Sequence, residues 1–389
     1  MAEAKGQARY SAPFFLAMLT NFFFFASIHL LMWTLPLYVS VSLKSATAVG
    51  LVIGLMALTA VLLRPWAGTW ADRHGRKIAI LLGALCFFTA PLFYAAGSSM
   101  LLTAAGRLVH GLGICFFTTG YGSLIPDMAP AGRRGEAIGL GSITMPLSLM
   151  IVPWLGSAIQ QRFGFQTLFF AAAGTALVAA SLAWFLPKGN NAGRTNAPVM
   201  GFREVLARPQ LLSTLVAVLA LALAYGALTT FLPLFAVERG LAQGSYFFVG
   251  YGIALVLTST SVGRLSDRLG RARVIAPGMV GVALCLAAMT QVRGLVALLA
   301  LAVVYGLFFG AAKISVDALC VDCVPMEGRG SAVSAEYAIY DLGIGLGSWG
   351  LGAVADAAGY DGMFFALAGA VLVGLAVFLI LLRRAECAS

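Results

Sequence analysis

A chain of 389 residues that is 60% hydrophobic and only 10% charged, with its apolar residues in long blocks, cannot supply the polar surface a soluble globule of this size needs. That excludes a soluble fold and indicates a membrane-spanning one. The formal net charge of +10 suits loops beside anionic lipid and requires no nucleic-acid partner.

Taken in chain order, about twelve windows are long enough to cross ~30 Å of hydrocarbon. They lie near 12–38, 47–69, 78–96, 100–124, 136–160, 166–186, 209–236, 245–266, 274–292, 295–321, 330–355 and 361–382. The first is too long and too aromatic for a cleaved signal, and no small-residue cleavage site ends it, so it reads as a retained helix. Between the sixth and seventh windows lies the one long polar stretch, Lys188–Arg208, with the phrase GNNAGRTNAP and no periodicity. It reads as a linker. The expected organisation is all-α: an N-terminal six-helix bundle over 1–187, a cytoplasmic linker over 188–208 and a C-terminal six-helix bundle over 209–389.

With twelve spans, one side collects Lys5, Arg9, Arg73, Arg76, Lys77, Arg133, Arg134, Lys188, Arg194, Arg203, Arg208, Arg264, Arg268, Arg271, Arg273, Arg329, Arg383 and Arg384. The other holds only Lys44, Arg162, Arg239 and Arg293. The positive-inside rule makes the first side, with both termini, cytoplasmic. The six cysteines fall in spans or on that side, where thiols stay reduced. Cys320-Val-Asp-Cys323 has metal-like spacing but no second pair, and reads as two small apolar residues. Neither metal nor cofactor is expected.

The two halves match under a fixed shift of 195, which carries Gly68, Asp72, Arg73, Gly75 and Arg76 onto Gly263, Asp267, Arg268, Gly270 and Arg271. The same shift carries Asp127 onto Asp322, Arg134 onto Arg329, Gly164 onto Gly359 and Gly174 onto Gly369. An ungapped correspondence of this extent indicates internal duplication. Parallel six-helix repeats are the plan of secondary transporters that rock one half against the other around a midplane site.

The phrase Gly68-x-x-x-Asp72-Arg73-x-Gly75-Arg76-Lys77, between the second and third spans, resembles the signature of the major facilitator superfamily. Arg107-x-x-x-Gly111 in the fourth span resembles that superfamily's second motif, and the likeness extends over essentially the whole chain. The resemblance implies twelve transmembrane helices in two pseudo-symmetric bundles, alternating access, and a cytoplasmic gate built from the repeated phrase. The region Gly139-Leu-Gly141-Ser-Ile-Thr-Met-Pro146 keeps glycines and a proline but lacks the Gly-Pro step that many drug–proton antiporters of the superfamily carry in helix 5.

For the gate, Gly68 and Gly263 are expected to let helices approach closely, and Asp72 to cap a facing helix start at Gly328–Ser331. Arg73 and Arg76 are placed to pair with Asp127 or Glu136, pairs expected only while the cytoplasmic face is closed. Asp267, Arg268 and Arg271 supply the second copy, and Asp127 and Arg134 complete the set. A topology signal alone needs Arg and Lys, but not Asp and two Gly at fixed spacing.

In a duplicated scaffold the unmatched charges are informative. Arg107 faces Ala302 under the shift, His110 faces Tyr305, Lys313 faces Thr118, Asp317 faces Gly122, Glu336 faces Gly141 and Asp341 faces Pro146. Ionisable residues inside spans are costly, which makes a functional role the default. Asp341 lies about 16 Å from Gly330 along its helix, near the midplane. It reads either as a proton or cation-substrate site or as an interhelical hydrogen bond. Glu336 divides between substrate site and gate. Lys313 and Asp317, four apart, are either a self-neutralising pair or an anion-binding lysine with its modulator.

Arg107 is expected to face the cavity and couple proton release to substrate, and His110 either titrates or is a hydrogen-bonded polar group. Arg64-Pro65 reads as a snorkelling arginine and a kink. The Phe22–Phe25 run and Trp33 read as lipid or packing contacts rather than a drug cage, with Asn21, Tyr225 and Tyr251 able to line a cavity.

Two functional readings follow: a proton-coupled exporter of small amphipathic or cationic organic compounds, and a proton-coupled importer of a small, possibly anionic, metabolite. The partners are then the substrate, protons and the lipid bilayer of an inner membrane, with nothing demanding more than a monomer. An enzyme is not expected, since no nucleophile–base set and no nucleotide loop is present.

Overall fold

A computed structural model of the chain describes residues 10–97, 99–130, 133–188, 208–241, 243–325 and 328–387, with the side chains at 72, 134, 135, 260, 386 and 387 outside the described set. Most of the expected linker, 189–207, also lies outside it. The helices of the first half are α1 (Ala12–Met32), α2 (Thr34–Ser42), α3 (Ala46–His74), α4 (Arg76–Ala95), α5 (Met100–Asp127), α6 (Arg134–Ser142) and α7 (Thr144–Trp184). Those of the second are α8 (Pro209–Glu238), α9 (Phe247–Leu269), α10 (Arg271–Met289), α11 (Leu295–Asp322) and α12 (Arg329–Cys387), with a 3-10 turn at Gly244–Tyr246. No strand occurs among the described residues.

Nine stretches of the described residues are long and apolar enough to cross a membrane, and α9 adds a tenth. Two of them, Glu136–Trp184 and Arg329–Ala385, run to 49 and 57 residues, room for two crossings each. Both are broken by a glycine, Gly164 at φ 82°, ψ 173° and Gly359 at φ 71°, ψ 174°. The chain therefore makes twelve crossings.

The duplication is written in the backbone. Gly75 (φ 101°, ψ 146°) ends α3 as Gly270 (φ 93°, ψ 137°) ends α9, and both pairs of breaks stand 195 residues apart. Positive φ is open to glycine and costly to any residue with a Cβ. This is why glycine stands at all four positions.

Each half packs on its own apolar core. In the first, Phe24 stacks on Phe117 and Phe87 at ring separations of 3.5 and 3.9 Å, so the phenylalanine run is packing, as expected. In the second, Phe231, Phe235, Phe247, Tyr251 and Tyr305 are fully buried among α8, α9 and α11. Tyr251 and Asn21 are therefore core residues rather than cavity walls, and Asn21 Nδ2 donates to Thr144 Oγ1 at 2.7 Å.

Candidate functional site

The halves meet along two seams. The longer joins α3 to the first part of α12, which run antiparallel. At its far end, away from the Gly75 and Gly270 turns, the Asp356 carboxylate accepts from the Ala46 and Thr47 amides at 2.7 and 2.9 Å. Next, Trp349 Nε1 donates to the Leu51 carbonyl at 3.2 Å, and Gly50 and Gly54 lie against Ser348 and Trp349 so closely that no Cβ would fit. Then Gly345 faces Ala57.

The seam ends at an ion pair, Arg64 with Asp341. Arg64 Nε donates to Asp341 Oδ2 at 2.9 Å and its Nη2 also reaches that oxygen, with the two side chains 9% and 14% exposed. Arg64 Nη1 reaches Thr118 Oγ1 at 3.4 Å, and its guanidinium lies 5.1 Å from the centre of the Tyr337 ring. The second seam joins α7 to α9. Gly252 lies against Met150, Trp154 meets Tyr246 at 5.8 Å, and Trp33 fills the space beside Gly244 and Phe248.

Beyond Arg64–Asp341 the halves part. Tyr337, one turn further along α12, is 48% exposed. A Cβ at Gly68, Gly263 or Gly330 would meet no described atom within 4 Å. The protein is thus open on the face bearing the repeated phrase and closed on the opposite face, and Arg64–Asp341 is the floor of the cleft.

On the wall of that cleft, Lys313 of α11 pairs with Asp317 and with Glu336 Oε1 of α12, the latter at 2.9 Å. Its ammonium also stands 4.8 Å from the Tyr340 ring centre. The Glu336 side chain is 7% exposed and Asp317 42% exposed. One ammonium held by two carboxylates leaves the cluster one positive charge short of neutrality when all three groups are ionised.

Both the sequence and the shape of the chain agree with known proteins. The family model of the Major Facilitator Superfamily matches residues 17–261 and 242–386. The chain belongs to the major facilitator superfamily. It is 27% identical over 362 residues to multidrug resistance protein MdtG of Salmonella paratyphi A, covering 89% of each chain. It is 27% identical over 250 residues to multidrug resistance protein 1 of Bacillus subtilis (strain 168), covering 63% of this chain and 62% of that protein's length. The fold is similar to that of a bacterial homologue of the human lysosomal transporter Spinster solved in an inward-facing, unoccupied conformation, with a TM-score of 0.83, 16% identity and coverage of 97% and 98%. This facilitator is a transporter and not an enzyme.

Several expected site residues take other places in this facilitator. Arg107 does not reach the cleft: its Nε and Nη2 donate to the Ile53 carbonyl at 3.1 and 2.5 Å, bracing α5 on α3 inside the first half. A buried guanidinium needs acceptors, and this carbonyl is the one its helix face meets. His110 is fully buried beside it, with Nδ1 2.8 Å from the Tyr94 hydroxyl, and is a hydrogen-bonded core residue. Asp341, Glu336, Lys313 and Asp317 do come together around the cleft.

Arg64 departs from its expected place. It is not a snorkelling side chain, because an arginine one helix away from a carboxylate gains more from pairing than from reaching for the surface, and α3 runs on through Pro65. The signal was available: under the 195 shift Arg64 faces Ser259, so it is as unmatched as Asp341.

The gate residues also depart from expectation. Arg76 pairs with Asp127 and donates to the Ser123 carbonyl at 2.8 Å, while Arg271 pairs with Asp267 at 2.5 Å and Asp322 at 3.1 Å. These are 195-related ties inside each half, and they stand while the face is open, so they do not require closure. Glu136 pairs with Arg133 at 2.5 Å. Arg73 and Arg268 are exposed at their helix ends. Gly68 makes no close helix contact in this open form. The side chains of Asp72 and Arg134 lie outside the described residues, as does any contact of theirs.

Proposed function

We propose that this facilitator is a proton-coupled secondary transporter that exports small amphipathic or cationic organic compounds by alternating access. The Lys and Arg distribution makes the face bearing the repeated phrase cytoplasmic, so the cleft is open to the cell interior, with both termini on that side of an inner membrane. The carrying observation is the Arg64–Asp341 pair at the floor of the cleft, an ionised pair between the halves at the level where a substrate arriving from the cytoplasm stops.

A proton reaching Asp341 cancels its negative charge and with it the attraction that ties α12 to Arg64. The neutral acid still offers a hydrogen bond, but the halves lose their charge–charge tie. A substrate cation brought to the same carboxylate competes with both Arg64 and the proton. That competition is the physical basis of antiport: one carboxylate cannot hold proton and cation together.

The importer reading relied on Arg107 and Lys313 as anion binders. Arg107 is held by a backbone carbonyl and Lys313 by two carboxylates, so neither cation is offered to an anionic substrate. The relatives called multidrug resistance proteins support the export direction. The test is proton movement in everted membrane vesicles across a panel of lipophilic cations and neutral drugs. Compounds should collapse an acid-inside gradient with the parent chain and not with Asp341→Asn. A gradient untouched by every compound in the parent overturns the reading.

A further inference from the structure

The clasp at the far end of the α3–α12 seam is built from one carboxylate and four donors of the other half. Ser45 caps α3, with its Oγ accepting from the Ala48 amide at 3.3 Å. The same hydroxyl donates to Asp356 Oδ2 at 2.6 Å, the Ala46 amide donates to Oδ1 at 2.7 Å, and the Thr47 amide and hydroxyl donate to Oδ2 at 2.9 and 2.6 Å. The first amides of a helix have no partner in their own helix, and a negative charge there also meets the positive end of the helix dipole. Asp356 satisfies those amides from across the boundary between the halves. Four residues nearer the cleft, Gly352 lets α12 lie against the backbone at Ala46 and Thr47, where a Cβ would come within 2.7 Å of the Ala46 carbonyl.

Among the described residues the arrangement occurs once. The 195-related residue is Gln161, whose amide donates at 3.2 Å to Ser157 of its own helix, and the α7–α9 seam is closed by apolar and aromatic contacts instead. Opening of the opposite face requires α3 and α12 to separate at this end. All four hydrogen bonds of the clasp must then part.

We propose that Asp356 is a gating residue: its carboxylate latches the face opposite the repeated phrase shut, and its release from Ser45, Ala46 and Thr47 sets how often that face opens during transport. The proposal rests on the alternating-access reading above. Its ligand is within the chain, the start of α3, and a deletion of either side of the clasp has the same consequence.

The test places spin labels in the full chain at Val41 and Val296, which are 77% and 82% exposed near the opposite face on the first and second halves. Distance distributions are then recorded in lipid nanodiscs for the parent, Asp356→Ala, Asp356→Asn and the Ser45→Ala/Thr47→Val pair. Losing the cap should raise the separated population by about tenfold for Asp356→Ala, the shift that one strong charged capping group corresponds to. The Ser45/Thr47 pair should move the same way by less, since the two amides still reach the carboxylate. A monodisperse size-exclusion profile and an unchanged helical circular dichroism spectrum report that the variants are folded. If the parent samples both distances as pH or drug is varied and the clasp variants leave the proportions unchanged, the clasp is refuted while alternating access stands. If no condition and no variant produces a second distance, both ideas fail together.

Discussion

Breaking the Arg64–Asp341 pair from one side should cost far more than removing it whole. Two unit charges about 4 Å apart attract by about 4 kcal/mol at an effective dielectric near 20, and the pair is 9% and 14% exposed on the edge of a wet cleft. Truncating one partner of a fully buried pair costs about 3–5 kcal/mol. Water in the cleft reduces that, which places Asp341→Asn and Arg64→Gln at about 2 kcal/mol each. Among the described residues the carboxylate left by Arg64→Gln has no other cation within ion-pair range, whereas the guanidinium left by Asp341→Asn keeps Thr118 and the Tyr337 ring. Arg64→Gln should therefore be the worse of the two. The double variant should lose less than the sum, with a coupling of about 1–2 kcal/mol, and the exchange Arg64→Asp/Asp341→Arg should recover part of the loss. Thermal unfolding of the four proteins in detergent measures the cycle. Additive single effects, with no recovery on exchange, would refute the pair as a tie between the halves.

Lys313→Met should destabilise by about 3 kcal/mol, because it leaves two carboxylates facing each other with one nearly buried, and adding Glu336→Gln should return part of that in the same unfolding assay. Gly68→Val should fold normally, since its side chain enters open space here, yet slow drug export by at least about tenfold because the cleft face can no longer close over it; normal export would show that Gly68 is not a contact in the closed form. For the clasp, partial desolvation raises the Asp356 carboxyl, and hydrogen bonds from Ser45, Thr47 and the Ala46 and Thr47 amides outweigh it, bringing it from the ordinary 3.8 down to about 2. A depressed carboxyl contributes stability that is present above the ordinary value and lost as pH falls through the lowered one. The difference in unfolding temperature between the parent and Asp356→Asn should stay constant from pH 8 to about 5 and shrink only between about pH 4 and 2; a difference that disappears near neutrality would show that Asp356 is not held by these donors.

Fold was legible in the sequence because a bilayer imposes strong rules on composition and length. Twelve windows, the 195 shift and the paired glycines at 75, 164, 270 and 359 all follow from constraints visible one residue at a time. The site was legible in part. Asp341, Glu336, Lys313 and Asp317 stood out as charges without a counterpart in the other half, and they do gather at the cleft. Arg107 stood out by the same rule yet serves as a brace, because a charge in a span must find an acceptor and a backbone carbonyl serves as well as a carboxylate. Arg64 is unmatched too, but its neighbour Pro65 and its place near a helix end point to the surface rather than to a partner. Asp356 is likewise unmatched, facing Gln161 under the shift, but the donors it meets are amides and hydroxyls some 310 residues away, and no pattern within one helix announces them.

The asymmetry between the halves carries the functional logic. Duplication gives each half the same turn, the same Arg–Asp tie and the same glycine break, so those features hold the bundles rigid and favour neither face. On the proposed antiport reading, a transporter that moves protons one way and substrate the other must break that symmetry somewhere. Here the break lies along a single seam, where one helix of the second half carries a carboxylate near the midplane and another at the far end. Arg64 and the start of α3 answer both. Asp341 meets a cation at the floor of the open cleft, where proton or substrate can displace it. Asp356 meets hydrogen-bond donors that do not titrate, on the face that is shut, and its own carboxyl stays ionised through the physiological range. A proton can therefore act on the first contact without touching the second. On the proposed reading the seam opens from the cleft toward the clasp, with the clasp releasing last.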